Sequence, residues 1–460
     1  MIEIIHTPFG QEHPYEQLPE ERYPRAPLAD EPFAVGIVTR PPGAVRAVTV
    51  HASIDGGAEV AIAAELIPNW IPDHEIGAGA EYLERAVRIE QDVWRAKLVA
   101  PPDGQTLTYR IEADGQPGDT YTLPGVGWRA GGGVAVKSLS PSRFEMCLMH
   151  SGGQAQMDGL PPITSVEWLS SERRDGQRVR IGFTCAPDEA FFGLGERFNA
   201  LNQRGNVMDI RVYEQYKSQG KRAYMPIPFL LSSAGYGVYV ESTRWMQFDL
   251  TAPDRWTLEA EVGDQGSLRL VWFVGDDPFD IIGSFTQMTG PAALPPDWAF
   301  GLWMSSNEWN SQARVMREVE ATEALDIPAS VLVIEAWSDE TTFYIWNDAQ
   351  YMPKPGNEAF RYTDFTFPSD GKWTDPKGMI DWLHERGIRL VLWQIPVVKI
   401  LEQPHPQHEA DRAYYEQAGF GVREADGSLH HTRPFWFRGG YLVDVDNLPS
   451  ASGGRTSAPI

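Results

Sequence analysis

The feature that most constrains the fold of this chain is a change of sequence pattern near residue 295. From about residue 30 to 290, short segments of alternating apolar and polar residues, such as "RVRIGFTCAPDE", are separated by Gly, Pro and Asp. A period of two indicates antiparallel β-strands, and so many in succession predict β-sandwiches. After Pro295 and Pro296, strand-like and helix-like segments alternate. The chain is therefore predicted to be multidomain, with a β region followed by an α/β region.

The α/β region is predicted to hold three strands and two helices. The strands are "AFGLWMS", which is predicted to be buried, the β-branched run "ASVLVIEAW", and "IRLVLWQIP". The helices between them are "SQARVMREVEATEALD" and "PKGMIDWLHERG", and the second ends at Gly387. Alternating strands and helices with right-handed crossovers form a parallel sheet or barrel.

Charge and cysteine content exclude several classes of function. The net charge of -24 and the absence of a dense Lys/Arg run argue against a nucleic acid or an anionic membrane as partner. Two cysteines, Cys147 and Cys185, are too few for a disulfide framework or a metal cluster. No basic segment followed by an apolar one opens the sequence, and its apolar runs are too short to span a bilayer. A soluble, cytoplasmic protein is expected.

Two motifs with a familiar outline do not predict a cofactor or a metal. In "FFGLGERFNA", Phe198 occupies the position of the third glycine of a dinucleotide-binding fingerprint. In "HPQHEADR", the spacing of His405, His408 and Glu409 matches neither zinc-protease pattern, which favours a solvated helix start. No cofactor and no metal ion is expected.

Aromatic and acidic residues follow each of the three predicted parallel strands. In a barrel of alternating strands and helices, the active site lies at the carboxyl ends of the strands. Sugar rings pack on aromatic faces, while carboxylates and amides bond to their hydroxyls. The alternative for each tryptophan is core packing, and for Glu335 a structural role. The predicted substrate-binding residues are Glu308 and Trp309 beside Asn307, then Glu335 and Trp337, and finally Trp393.

Six segments occur in the order seen in glycoside hydrolase family 31, which the chain resembles over roughly residues 140 to 447. They are "FFGLGERFNALNQRG", "YMPIPFLLSSAGYGVYVES", "PPDWAFGLWMSS", "VLVIEAW", "DFTFPSDGKWTDPKGMIDWLHERGIRLVLWQIP" and "YLVDVDN". The resemblance implies an N-terminal β-sandwich followed by a (β/α)₈ TIM barrel. It also implies retaining hydrolysis of α-linked glycosides, of the α-glucosidase or α-xylosidase type. The implied partner is an α-linked oligosaccharide or glycoside, and the oligomeric state stays open.

The resemblance also assigns roles to three of the strand-end residues. Glu335 stands where the family usually has an aspartate that binds hydroxyls of the sugar at the cleavage site. Trp337 stands at an aromatic position beside it, and Trp393 matches the aromatic residue that ends the third strand. Because Glu is one methylene longer than Asp, the identity of the bound sugar stays open.

With this resemblance, four segments are expected along the chain. Residues 1–120 are predicted to hold an N-terminal extension and a small β-sandwich module, and residues 121–296 the second β-sandwich. Residues 297–446 are predicted to form the first part of the barrel, with about three strands. Residues 447–460 form an unstructured tail in this prediction.

No catalytic residue is assigned in the chain. Family members resemble one another in using two aspartates, and the nucleophile lies in a motif such as Lys-Thr-Asp-Phe-Gly-Glu or Trp-x-Asp-Met-Asn-Glu, neither of which occurs here. "VDVDN" resembles a turn before the fourth strand, so Asp444 and Asp446 are poor candidates. A complete barrel needs about 250 residues, and 151 run from Asp297 to Asn447. The chain is thus expected to be an N-terminal fragment with a truncated barrel, inactive alone.

Two other functions compete with a glycosidase. The first is a non-catalytic carbohydrate-binding protein that keeps the β-sandwiches and part of the sugar pocket. The second is a mutarotase-like epimerase whose chemistry lies before residue 290. The second is disfavoured because the strands of that region offer no convincing pair of a histidine and a carboxylate for acid/base work.

Overall fold

The structure is a computed structural model. It describes residues 2–10, 17–68, 91–156, 158–170, 177–213, 220–262, 266–424, 426–432 and 440–444. The chain divides into two compact units, unit 1 with residues 1–292 and unit 2 with residues 293–460. The predicted tail, residues 447–460, lies outside the described residues.

The first part of unit 1 contains two antiparallel sheets that share one hydrophobic cluster. Strands β1, β2, β3, β6 and β7 form one sheet, and β4, β5, β8 and β9 form the other. Val35 and Ile37 of the first sheet and Val50 and Tyr109 of the second are buried in the common cluster. The strands are β1 Glu3–Ile5, β2 Arg22–Tyr23, β3 Pro32–Arg40, β4 Val48–Ile54, β5 Val60–Ala63, β6 Glu65–Leu66, β7 Asp92–Val99, β8 Thr106–Ala113 and β9 Gln116–Pro124.

The second part of unit 1 contains two six-stranded antiparallel sheets around a second hydrophobic cluster. The strands are β10 Arg129–Ala130, β11 Gly133–Ser140, β12 Arg143–Met149, β13 Ile163–Leu169, β14 Arg178–Thr184, β15 Phe191–Gly193, β16 Val207–Asp209, β17 Phe229–Ser232, β18 Tyr236–Val240, β19 Met246–Asp249, β20 Arg255–Glu261 and β21 Ser267–Val274. Their order is β10-β13-β14-β20-β19-β16 in one sheet and β11-β12-β21-β18-β17-β15 in the other. Phe183 and Trp256 from the first sheet contact Trp272 from the second within this cluster.

Alternation along these strands explains why the sheets bury one face. In β20, Trp256, Leu258 and Ala260 are buried, while the residues between them are half-buried. Side chains at every second position point to the same face of a strand, so the period of two becomes a core face and an outer face. Helix α1, Pro278–Thr289, follows β21, and its Ile281 packs with Phe273 in a smaller cluster.

Unit 2 contains a parallel three-stranded sheet with helices between the strands, as the sequence predicted. Its elements are β22 Leu302–Ser306, α2 Gln312–Ala324, β23 Ala329–Ile334, α3 Pro376–Glu385, β24 Arg389–Leu392, β25 Val397–Val398, α4 Pro406–Ala418 and β26 Tyr441–Leu442. Short 3₁₀ helices span Asp297–Phe300 and Tyr362–Asp364. The sheet order is β22-β23-β24, and β25 pairs separately with β26 in antiparallel fashion.

The buried strand predicted at "AFGLWMS" is only partly buried. Of β22, Met304 is buried, whereas Leu302 and Trp303 are each 46% exposed. The reason is position, because among the described residues β22 lies at the edge of the three-stranded sheet and pairs only with β23.

Each helix of unit 2 begins at a side chain that caps its free backbone N–H groups. The Ser311 hydroxyl accepts from Arg314 N at the start of α2, and the Asp375 carboxylate accepts from Gly378 N at the start of α3. His405 caps α4 by accepting from His408 N, which confirms a helix start there. The prediction that this start is solvated was wrong for His408, which is only 5% exposed because it packs inward from the first turn of α4.

None of the helices in the part of the chain that the structure describes has the length and apolar character needed to cross a membrane.

Candidate functional site

The parallel sheet of unit 2 brings the three predicted strand ends to one edge. Ser306 of β22 is in register with Ile334 of β23, and Ile334 is in register with Leu392 of β24. Glu335 and Trp393 are the next residues along their strands, and Trp393 N donates to Ile334 O at 3.0 Å. Parallel strands in register end at the same edge, so residues that follow them are neighbours.

The Glu335 carboxylate is half-buried and has acceptor capacity left over. The Ser305 hydroxyl of β22 donates to Glu335 Oε1 at 2.7 Å. Within the described ranges, no other side chain or backbone N–H donates to this carboxylate. An ionised carboxylate has about four acceptor positions, so most of them remain for the hydroxyls of a ligand.

Trp337 is a core residue that also joins two strand ends. It is 3% exposed and belongs to a hydrophobic cluster with Leu332 and Trp373. Its indole Nε1 donates to Trp393 O at 2.6 Å, which ties the segment after β23 to the segment after β24. Trp393 itself is half-buried, with its ring 6.1 Å from that of Phe343.

Glu308 and Trp309 follow β22 but are not joined to the other candidates by a polar contact. Glu308 is exposed, and Trp309 is half-buried against the same cluster as Trp337. Ser306 holds the turn, since its hydroxyl and carbonyl accept from Glu308 N and Trp309 N. In the described part of the chain, no hydrogen bond or ring contact links Glu308 or Trp309 to Glu335 or Trp393.

The segment between β23 and α3 forms a cavity that sequence reasoning missed, named here the aromatic cavity. Its volume is 360 Å³, at the lower end of the range typical of ligand sites. Trp337 is the only predicted site residue in its lining. Eight aromatic residues between Phe343 and Phe367 were the available signal. The lining comprises Trp337, Tyr344, Trp346, residues 356–362, Phe365, Leu392, Gln394 and Asp411.

The start of this segment is fixed by a turn around Asp339. Its carboxylate accepts from Thr341 N at 2.8 Å and from Thr342 N at 2.6 Å. The buried Phe343 follows with φ of 62°, a left-handed conformation that is costly for a bulky residue and persists only where its surroundings enforce it. This turn aims Tyr344 and Trp346 at the aromatic cavity.

Asp411 of helix α4 is the acid of the aromatic cavity. Tyr344 OH donates to Asp411 Oδ2 at 2.6 Å, and Gln407 Nε2 donates to Asp411 Oδ1 at 2.8 Å. Burial raises the pKa of Asp411 above its usual range, and these two hydrogen bonds offset part of that effect. Burial also raises the pKa of Tyr344, with its bond to the Asp411 carboxylate as the next cause.

The remaining acids and histidines of the described residues do not form a metal centre. Among them, no group of three or more His, Cys, Asp or Glu side chains is arranged to hold a metal ion. Asp444 follows β26, which pairs with β25 and does not belong to the parallel sheet. Asp446 lies outside the described residues.

Comparisons with known families cover most of the chain. Residues 125–249 match the glycosyl hydrolase 31 N-terminal galactose mutarotase-like domain, and residues 292–451 match the glycosyl hydrolases family 31 TIM-barrel domain. Residues 5–69 match an Lmo2446-like N-terminal domain. The fold is therefore β-rich at the N-terminus and continues into a TIM-barrel domain.

Individual relatives match over longer stretches. The chain is 40% identical over 288 residues to an isomaltosyltransferase of Sporosarcina globispora, covering 62% of this chain and 26% of that protein. It is 34% identical over 452 residues to a 1,3-alpha-isomaltosidase of Kribbella flavida, covering 96% and 58%. A cycloalternan-degrading enzyme from Trueperella pyogenes, solved with cycloalternan, has a TM-score of 0.79 and 32% identity, covering 96% and 60%.

The chain thus spans between about a quarter and three fifths of the length of these relatives. Two family domains in succession, together with relatives of the same type along nearly the whole sequence, leave one assignment: the chain belongs to glycoside hydrolase family 31.

Proposed function

We propose that this chain supplies the N-terminal β domains and three strands of the TIM-barrel domain of an enzyme that acts on α-linked gluco-oligosaccharides. The isomaltosidase and isomaltosyltransferase relatives favour an isomaltosyl unit as the recognised group over the glucosyl or xylosyl unit expected from the sequence. The single observation that carries the proposal is the Glu335 carboxylate at the end of β23, which lies next to Trp393 and to which, among the described residues, only Ser305 donates.

Glu335 is assigned to bind the sugar at the cleavage site. Its free acceptor positions would take hydrogen bonds from two sugar hydroxyls, with the Trp393 ring beside them. Hydrogen bonds to a charged group contribute about 1.5 to 3 kcal/mol each, and an unpaired hydroxyl in a partly dry site adds to the loss when the acceptor is removed.

Retaining hydrolysis needs a nucleophile and an acid/base carboxylate about 5 to 5.5 Å apart. Neither family motif for the nucleophile occurs in these 460 residues. We therefore expect the purified chain to hydrolyse aryl α-glucosides, aryl α-xylosides and isomaltosides only at the background rate. Turnover that disappears in Asp444→Asn would contradict this and would make Asp444 the nucleophile.

The test of the sugar site is binding of isomaltose to the 460-residue chain with Glu335→Gln. The amide keeps the shape of the side chain but loses the charge and half of its acceptors, so we expect affinity to fall about tenfold or more. Isothermal titration calorimetry gives the affinity, and thermal unfolding should be almost unchanged.

The control is Glu385→Gln, an exposed residue at the end of α3, which should leave affinity unchanged. If Glu335→Gln collapses the thermal midpoint while the remaining folded protein binds as before, Glu335 is a structural acid and the proposal is wrong.

The alternative is a non-catalytic carbohydrate-binding protein. The sugar-binding role assigned to Glu335 would serve this function equally well. Both functions predict binding by the 460-residue chain, so turnover by the protein purified from its native source separates them. Release of isomaltose from α-linked oligosaccharides by that preparation would exclude the alternative.

A further inference from the structure

We infer that the aromatic cavity is a second sugar-binding site, in which Asp411 accepts hydrogen bonds from a glucosyl unit and Tyr344 holds the carboxylate in place. This inference rests on the proposed function, because it assigns a second unit of the same class of α-linked oligosaccharide.

The first support is the state of the Asp411 carboxylate. It has two neutral donors, Tyr344 OH and Gln407 Nε2, one on each oxygen. Among the residues described, it has no ion-pair partner. Asp411 is half-buried, and burial raises its pKa, while its two hydrogen bonds and the neighbouring His408 and His405 act in the opposite direction. Two acceptor positions remain beside a cavity, which is the arrangement of a ligand site rather than of a structural acid.

The second support is the set of aromatic rings that line the same cavity as this acid. Trp337 and Trp346 meet edge to face with ring centroids 5.0 Å apart, and Phe360 stacks on Phe365 at 5.1 Å. All four rings line the cavity. The C–H face of a pyranose packs on such rings while its hydroxyls bond to carboxylates and amides, and Gln394 adds an amide here.

The third support is that the cavity is held rigidly against helix α4. The Gln407 side chain, 1% exposed, accepts from Lys354 N at 2.8 Å and donates to Lys354 O at 3.1 Å. Next to these two hydrogen bonds, a Cβ on Gly356 would lie 2.5 Å from Ala410 O, so only glycine permits such a close approach of the two backbones. The wall and the acid of the cavity are therefore fixed to the same helix, which lowers the entropic cost of binding.

The aromatic cavity is a different site from Glu335. Neither Glu335 nor Ser305 belongs to its lining, whereas Trp337 and Leu392 do. Trp337 connects the two regions, because its indole bonds to Trp393 O at the strand ends. A sugar at Glu335 and a sugar in the cavity would thus contact separate polar groups.

The experiment uses the 460-residue chain labelled with 5-fluorotryptophan and titrated with isomaltotriose. The Trp346 resonance is assigned through Trp346→Phe. We expect isomaltotriose to shift this resonance, and we expect Asp411→Asn to weaken the response about tenfold or more because a charged acceptor is lost. Tyr344→Phe keeps the ring but frees the carboxylate, so a smaller loss of about three- to tenfold is expected.

Two variants serve as matched controls. Tyr415→Phe removes a hydroxyl of the same helix that donates to Leu442 O, outside the cavity. Asp381→Asn neutralises an exposed acid paired with Lys377 on α3. Both should leave the Trp346 response unchanged. If Asp411→Asn does not fold, Tyr344→Phe carries the test.

The outcomes separate this inference from the proposed function. The inference is overturned if the Trp346 resonance does not move with isomaltotriose, or if it responds in Asp411→Asn and Tyr344→Phe with the same affinity as in the parent chain. A Trp346 response that persists in Glu335→Gln and disappears in Asp411→Asn supports it. A response at Trp346 together with an isomaltose affinity unaffected by Glu335→Gln removes the proposed role of Glu335 and leaves the cavity site standing.

Discussion

The buried carboxylate of Glu189 in unit 1 and the half-buried carboxylate of Glu335 in unit 2 have very different surroundings. Glu189 Oε1 accepts from Ser232 Oγ at 2.5 Å and from Tyr236 OH at 2.6 Å, and Oε2 accepts from Ala186 N at 3.0 Å. Glu335 accepts from one hydroxyl, that of Ser305. In unit 1 the fold itself uses the acceptor capacity, whereas in unit 2, among the described residues, most of it stays unused and is assigned to a ligand under the proposed function.

The tryptophan side chains of the two units also differ, in this case in their exposure. Trp256 of unit 1 is 0% exposed, stacks 4.5 Å from Phe183 and donates its indole N–H to Tyr236 OH. Trp303 of unit 2 is 46% exposed on an edge strand, and Trp346 lines the aromatic cavity. Unit 1 thus buries its large aromatic side chains in a closed core, whereas unit 2 leaves some of its aromatic side chains exposed or lining a cavity.

The largest expected effect comes from removing the central ring of unit 1. Trp256→Ala leaves a cavity in the core and deprives Tyr236 of a donor, so the free energy of unfolding of unit 1 should fall by about 3 to 5 kcal/mol. Hydrogen exchange at amides of β14 and β20 measures the loss. Affinity for isomaltose, measured at a temperature where the variant is folded, should stay constant. Weaker binding of isomaltose with unchanged exchange in these strands would contradict a purely structural role for Trp256.

Acid should destabilise unit 1 through His6. Its Nδ1 donates to Glu20 O and Gly36 O, its Nε2 accepts from Tyr109 OH, and burial lowers its pKa to about 4. The unfolded chain binds this proton near pH 6.5. Stability is therefore complete above pH 6.5 and falls as the pH drops towards 4, by about 3 kcal/mol in total.

Urea unfolding followed by hydrogen exchange in β3 and β8 between pH 7 and pH 4 measures this slope. His6→Gln cannot titrate, so its stability should vary less across the same interval. A variant with the same slope as the parent chain would assign the acid sensitivity to other groups.

The smallest expected effect is the loss of a helix cap in unit 2. Ser311→Ala removes the hydroxyl that accepts from Arg314 N, at a cost of about 1 kcal/mol. Ser311→Gly should cost only a few tenths of a kcal/mol. Exchange at the amides of α2 should report the difference, while unit 1 and the affinity for isomaltose stay unchanged. Faster exchange at amides of unit 1 in Ser311→Ala would show that the two units unfold together.

Much of the fold of unit 2 followed from local sequence pattern. The strands β22, β23 and β24 and the helices α2 and α3 were predicted in the right order, because apolar periodicity and a helix-ending glycine such as Gly387 act within a few residues. The exposure of Leu302 and Trp303 was not predicted, since the same apolar run serves a central strand or an edge strand equally well.

The candidate site was predictable only in part. That residues after the strands lie together followed from parallel topology, and the register of Ile334 with Leu392 agrees with it. The substrate-binding roles of Glu308, Trp309, Glu335, Trp337 and Trp393 stay predictions. The burial of Trp337 could not be read from the sequence, because an aromatic residue after a strand looks the same whether it packs inward or faces a ligand.

The two architectures, the strand ends and the family could be predicted from the sequence, because they depend on the local period of apolar residues and on motifs in a fixed order. Which carboxylates keep unused hydrogen-bond acceptor positions could be seen only in the tertiary structure. Tyr344 and Asp411 meet across 67 residues, and Gln407 reaches Lys354 across 53. Contacts between residues so far apart produce no periodic pattern in the sequence. They form when a long loop closes onto a helix, and the pairing depends on the shape and hydrogen-bonding groups of the two side chains where they meet.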